Sequence, residues 1–298
     1  MGTARVIREA GAACAAALQF LTRLPVPVRL HYDDALFRRS VIFYPLAGWL
    51  LGSLTAAFGV LLADGLGLPA TVTAALTLGC WVALSGALHL DGLMDTADGV
   101  LSHRSRKRML EIMKDSRVGA MGVIVCVLLL LAKWTLLTEL APDSGGAGAS
   151  PWLLLPLVTL WSRWFMVVAI WGWPYARAGS VQPDSTSSGA GGSSASGGIG
   201  GFFRGVGLPH VGASTGLAVV LTAAGLGLPM SLGWLSLTAG QGLFLALATV
   251  ATTVVAGTAM AAYLHGKLGG LTGDTYGAIN ELLEAVLLLV LLVLAAQW

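Results

Sequence analysis

The sequence predicts an all-α fold: a polytopic membrane bundle of about seven transmembrane helices, preceded by an N-terminal interfacial helix. Three observations predict it. Hydrophobic residues fill 56% of the 298 positions and charged residues only 11%, against roughly 25% in an ordinary soluble domain. Mean hydropathy is +0.79. Finally, 15 of the 17 basic residues fall in the N-terminal segment and in alternate connections between the apolar runs. So few charges cannot cover a water-facing surface, and so much apolar surface excludes disorder for most of the chain. A net charge of +2 gives no pull toward nucleic acid. Cys14, Cys80 and Cys126 lie in apolar stretches without a CxxC pattern and read as small buried hydrophobes.

The elements follow in chain order. Arg5 and Arg8 precede an apolar run, Ala10 to Leu21, which resembles a signal peptide. No small-residue cleavage site follows it, and it is too short to cross ~30 Å of hydrocarbon. It reads as a retained interfacial or partly inserted helix ended by Pro25 and Pro27. Seven spans are then expected near Val41–Ala63, Pro69–Leu90, Val118–Thr138, Pro151–Trp173, Val211–Met230, Gln241–Tyr263 and Leu282–Gln297. The last is marginal in length, because a crossing needs about 20 residues. The fifth and sixth are cut from one stretch, since no Asp, Glu, Lys or Arg occurs between Arg204 and Lys267. Gly233 and Gly240 mark the turn inside it. With the N-terminus inside, segments 1–40, 91–117, 174–210 and 264–281 hold 6, 6, 2 and 1 Lys/Arg, and the outward loops hold none. Lys133 and Arg163, the other two of the 17 basic residues, lie within spans. This positive-inside bias places the N-terminus in the cytoplasm, and Asp143 and Trp298 outside. The Gly/Ser-rich tract 178–201 reads as a flexible cytoplasmic loop.

The acidic residues point to chemistry. Asp91, Asp95 and Asp98 are spaced i, i+4, i+7, which stacks three carboxylates on one helix face. Such repulsion needs an offset, and a divalent cation is the simplest, since hard cations take clustered carboxylate oxygens. The alternative is a solvated helix end with one capping Asp. His89 is adjacent. Arg104 to Arg108 fit either an anchor on anionic lipid or a site for phosphate. Lys114 and Arg117 flank Asp115 just before Gly119 and Gly122. Cations beside an acidic metal site suit a phosphate-bearing substrate. A third cluster runs from Lys267 through Asp274 to Glu281 and Glu284, with four glycines at 269, 270, 273 and 277. Asp274 either caps the following helix or belongs to the site. The segments at Phe20–Pro25 and Ser40–Gly48 could line a substrate groove or merely enter the membrane. Arg163, within the fourth span, should face the bundle interior or a polar cavity.

These motifs occur together in one family. LHLDGLMDTADG at 88–99, EIMKDSRVGAMG at 111–122, FLTRLPVP at 20–27, RSVIFYPLAGWLLG at 39–52 and GGLTGDTYGAINELLEA at 269–285 resemble the cobalamin synthases, the adenosylcobinamide-GDP ribazoletransferases. The resemblance covers about Phe20 to Ala285 and implies one membrane-embedded catalytic domain over residues 1–298. It implies a bacterial inner-membrane enzyme of late cobalamin assembly that uses Mg²⁺. The ribose 3′-hydroxyl of α-ribazole, or of its 5′-phosphate, would attack the cobinamide-side phosphorus of adenosylcobinamide-GDP. GMP would leave, and adenosylcobalamin or its 5′-phosphate would form. By this resemblance Asp91, Asp95 and Asp98 would hold the metal. Lys114, Arg117 and Arg104 would bind phosphate oxygens. Asp274, with Asp98, would serve catalysis, completing the metal shell or accepting the hydroxyl proton. Other enzymes of corrinoid assembly are candidate partners.

Two other classes compete. Asp95-x-x-Asp98-Gly99 is similar to the start of the CDP-alcohol phosphotransferase motif, D-x-x-D-G-x-x-A-R, but Ser102-His103 stand where Ala-Arg is required. The later acidic part of that motif is also missing from its expected place, which argues against a lipid-acceptor enzyme. A transporter should carry acids near the bilayer midplane and internal repeats. Here the clustered acids fall at span ends, and no repeat is visible.

Overall fold

The computed structural model describes residues 2–141, 151–176 and 205–297. The tract 178–201, Asp143 and Trp298 lie outside the described residues, as do the expectations attached to them. Eleven α-helices are present among the described residues: α1 (Gly2–Leu21), α2 (Asp34–Ser40), α3 (Tyr44–Val60), α4 (Ala70–Ser85), α5 (Leu88–Val100), α6 (Arg106–Ile112), α7 (Ala120–Glu139), α8 (Leu155–Gly172), α9 (Leu208–Ser231), α10 (Ala239–Leu268) and α11 (Gly273–Ala295). Six helical stretches are long and apolar enough to cross a membrane, and a seventh is obtained if α4 and α5 count as one bent span. The all-α expectation therefore holds among the described residues, where a single bridge between Tyr175 and Leu271 is the extended pairing.

α8 is the hub. Almost every side chain from Leu155 to Val167 is buried. Lipid offers no hydrophobic drive between helices, so close approach has to come from small residues. Gly48 and Gly52 of α3 supply it: a Cβ at either would collide with the α8 backbone around Thr159 and Pro156. The Thr159 hydroxyl donates to the Gly48 carbonyl across the contact, at 2.7 Å. Gly257 of α10 lies under the Phe165 ring in the same manner. The turn foreseen between the fifth and sixth spans falls at residues 232–238, where Gly233 takes a left-handed φ of +72°.

Three boundaries differ from expectation. The second span stops at Ser85, not Leu90. Gly86 and Ala87 both adopt left-handed conformations, with φ of +65° and +55°, and α5 leaves α4 at 89°. Residues 88–100 therefore run across the bundle rather than along it, a turn that uniform apolarity up to Leu90 conceals. The last helix begins at Gly273 and has 23 residues, so its length is not marginal. Glu281 and Glu284 hid its first half from a hydropathy reading, although both are buried. The N-terminal helix starts at Gly2 and is likewise longer than its apolar run. The three cysteines are free and half-buried.

Candidate active site

The site is built where α5 crosses the start of α11. Leu90, Leu93, Ala97 and Val100 turn the apolar face of α5 into the bundle. Gly92 and Gly277 bring the two helices into contact. A Cβ on Gly92 would lie 2.7 Å from the Asp274 carbonyl oxygen, and one on Gly277 would lie 3.1 Å from the His89 backbone. Gly92→Ala is expected to push α5 off α11 and lower turnover by about 10²-fold, as ångström-scale misplacement of reacting groups typically does. Steady-state assays on the inserted, folded variant check this.

Asp274 is not the cap of α11. Thr272 is: its hydroxyl accepts from the Thr275 N–H at 3.3 Å, and the Thr275 hydroxyl accepts from the Thr272 N–H at 2.7 Å, a reciprocal capping box. Asp274 stands two residues further on, and lines a cleft of about 150 Å³ together with Asp91, Phe20, Tyr44, His89 and Tyr276. Both sequence segments left open as groove or entry thus contribute a wall, Phe20 from one and Tyr44 from the other. Arg23 of the first also packs over the Gly86 turn that aims α5, where a Cβ would strike its side chain.

The three α5 carboxylates do not share one setting. Asp91 faces the cleft, and Asp95 is half-buried midway along the row. The Asp98 carboxylate accepts from the Gly119 N–H at 2.7 Å and the Gly122 N–H at 2.8 Å, seating the N-terminus of α7. A Cβ at Gly119 or Gly122 would displace it, which explains the glycines of the G-A-M-G segment. Among the described residues no group of three His, Cys, Asp or Glu side chains is gathered to hold a metal. The i, i+4, i+7 row spans two turns of helix, and Asp98 at its end is drawn to α7.

Asp98 borders a second, more open groove of about 360 Å³ with Arg108, Glu111, Asp115 and Arg117. Arg117 donates to both Asp115 oxygens, at 3.0 and 2.7 Å. That exposed pair holds the Asp115 carboxyl at about 2, chiefly through the Arg117 side-chain hydrogen bonds. Lys114 is exposed beyond the end of α6, and Arg104 is exposed on the turn between α5 and α6. Arg106 lies against Gly269, where a Cβ would collide with its guanidinium. Gly270 admits the chain after α8, so that Ala176 N–H donates to the Leu271 carbonyl and Leu271 N–H to the Pro174 carbonyl. The 101–119 and 269–274 segments therefore converge on one end of the bundle.

Behind the cleft runs a buried ionic cluster. Lys133 of α7 pairs with Glu281 and Glu284 of α11. Arg163 of α8 pairs with Glu284 at 2.6 Å. Arg163 faces the interior, as expected. The partners of Lys133 and the role of Asn280, which bridges Glu284 and His89, were not foreseen. The readable signal was two cations inside apolar spans matched by two acids inside another.

The described helices form a crossed bundle of membrane-spanning character, with an acidic cleft lined by Asp91 and Asp274. A family model described as Cobalamin-5-phosphate synthase matches residues 13–292. Curated relatives named adenosylcobinamide-GDP ribazoletransferase agree. One from Brevibacillus brevis is 36% identical, covering 95% of this chain and 97% of its own. One from Desulfitobacterium hafniense is 38% identical, over 92% and 93%, and one from Pseudomonas aeruginosa is 38% identical, over 96% and 99%. No solved structure matches the chain. The chain belongs to the Cobalamin-5-phosphate synthase family.

Proposed function

We propose that this protein joins adenosylcobinamide-GDP to α-ribazole, or to its 5′-phosphate, forming adenosylcobalamin or its 5′-phosphate and releasing GMP. Family membership supports the reaction, and the observation that carries the site is the cleft between Asp91 and Asp274. In this reading the ribose 3′-hydroxyl oxygen bonds to the cobinamide-side phosphorus. The phosphorus–oxygen bond to GMP breaks, and its electron pair leaves with GMP. Asp274 takes the hydroxyl proton. Arg117, oriented by Asp115, with Lys114 and Arg104, draws the anionic substrate to the bundle end.

The residues fit Mg²⁺. This ion is ordinarily held by one or two carboxylates plus substrate phosphate oxygens rather than by an all-protein cage. Asp91 and Asp95 would hold it, with Asp274 within the same cleft as Asp91. Bound there, it supplies charge neutralisation for the diphosphate. Asp98 serves by anchoring α7. Asp95→Asn keeps the side-chain shape and removes the charge, and it is expected to abolish turnover at limiting Mg²⁺ while the protein still inserts. Near-normal turnover would refute that role.

The membrane reading extends to sidedness. The 15 basic residues on one set of segments support a reading with the cleft on the cytoplasmic face of the bacterial inner membrane. Reporter fusions after residues 105 and 275 should both score cytoplasmic, and opposite scores would overturn this. The reaction itself is tested with the purified full-length enzyme in lipid nanodiscs, supplied with adenosylcobinamide-GDP, α-ribazole and Mg²⁺. Mass spectrometry should find adenosylcobalamin and GMP, and absence of both would end the proposal.

A further inference from the structure

We infer that His89 is a substrate-binding residue of this reaction, presenting its Nε2–H to a phosphoryl oxygen of the nucleotide-activated substrate in the cleft. The inference rests on the reaction proposed above. His89 is buried and lines the cleft. Its two ring nitrogens have different surroundings. Nδ1 lies 2.9 Å from Asn280 Nδ2. The same amide nitrogen donates to Glu284 Oε1 at 3.2 Å. A carboxylate oxygen only accepts, so the group turned toward Glu284 must be the NH₂ end of Asn280. Its second hydrogen then points at His89 Nδ1, which must accept and so carries no proton. The ring proton is left on Nε2, which is buried and has no hydrogen-bond partner among the described residues.

A buried donor left unsatisfied is costly, and in native proteins it calls for an explanation. The relay that produces it is built with charge. Arg163 fixes Glu284 at 2.6 Å, Lys133 fixes it from the other side, Glu284 orients Asn280, and Asn280 selects the tautomer. A protonated Nε2 cannot take the proton of an attacking hydroxyl, so His89 is a donor rather than the base. What it suits is an oxygen bearing negative charge. Ionised Asp91 and Asp274, in the same cleft, can only accept, so the Nε2–H adds a donor that a phosphoryl oxygen there can use.

The test compares His89→Phe and His89→Gln in full-length protein in nanodiscs, using adenosylcobinamide-GDP and α-ribazole. Phe keeps the ring and loses the donor, and kcat should fall ~10²–10³-fold, as on removing one preorganised donor to a developing anion. Gln places an amide N–H near the Nε2 position and should restore turnover to within about tenfold of wild type. The KM for α-ribazole should be unchanged in both. His89→Phe within about threefold of wild type, or His89→Gln as impaired as His89→Phe, overturns the inference. The protonation site is checked separately on wild-type protein, so a variant that fails to fold does not spare the idea. Two-bond proton–nitrogen NMR of histidine-labelled enzyme should show His89 protonated at Nε2, and protonation at Nδ1 overturns it. Failure of these tests in an enzyme that still makes adenosylcobalamin leaves the proposed reaction standing, whereas a wild type that makes none removes that reaction first.

Discussion

Asp274→Asn is expected to lower the single-turnover rate by ~10²–10⁴-fold at saturating Mg²⁺ and substrates, the usual contribution of a general base. Asparagine has the same shape but cannot take a proton from the ribose hydroxyl. A capping role would predict almost no effect, because Asn caps about as well as Asp. That role is already filled: Thr272 and Thr275 cap α11 reciprocally. Outside catalysis Asp274 accepts from the Thr272 hydroxyl at 3.4 Å and stands in the first turn of α11. A negative charge there is worth up to about 2 kcal/mol at a partly buried helix end, and its loss would be read as a drop in thermal stability. Quenched-flow rates separate the outcomes. A rate within a few-fold of wild type would take Asp274 out of the chemistry and leave it a helix-end charge.

The second large effect is structural. Glu284→Gln should destabilise the folded protein by about 3–5 kcal/mol, the range for removing one partner of a buried ion pair. Lys133, Arg163, Glu281 and Glu284 are all buried, two formal positive charges against two formal negative ones. Replacing Glu284 leaves Arg163 without the carboxylate at 2.6 Å and leaves the cluster with one excess positive charge. Pairing the change with Lys133→Met restores neutrality and should recover part of the loss. Fluorescence-detected size-exclusion melts of both variants in detergent provide the measurement. A Glu284→Gln protein that melts like wild type would show that water, not the ion pair, solvates this cluster.

The gap between sequence and structure is clearest at α5. Its three carboxylates, their i, i+4, i+7 spacing and their place at a span end are all written in residues 91–98. The spacing correctly placed them along one helical row. It could not say what each one faces, because that depends on the neighbours brought up by the fold. The 89° turn at Gly86 and Ala87 lays α5 across the bundle, so Asp91 meets the cleft of α11 while Asp98 meets the N-terminus of α7, two turns of helix away. Local sequence carries no record of that turn beyond one glycine followed by an alanine.

By itself the sequence determined that this chain is all-α, with several helices apolar enough to cross a membrane, and which motifs mark the family. Those properties follow from residue type and spacing, since hydrocarbon demands continuous apolar helices and the charged residues must gather at their ends. Only the tertiary structure decided that Thr272 rather than Asp274 caps α11, that Lys133 and Arg163 are neutralised by Glu281 and Glu284, and that Asn280 sets the orientation of His89. Each of these is a contact between groups that are either distant in the chain or alternatives at one helix start. Its free energy comes from excluding water around matched charges and donors, and that matching exists only once the helices have packed.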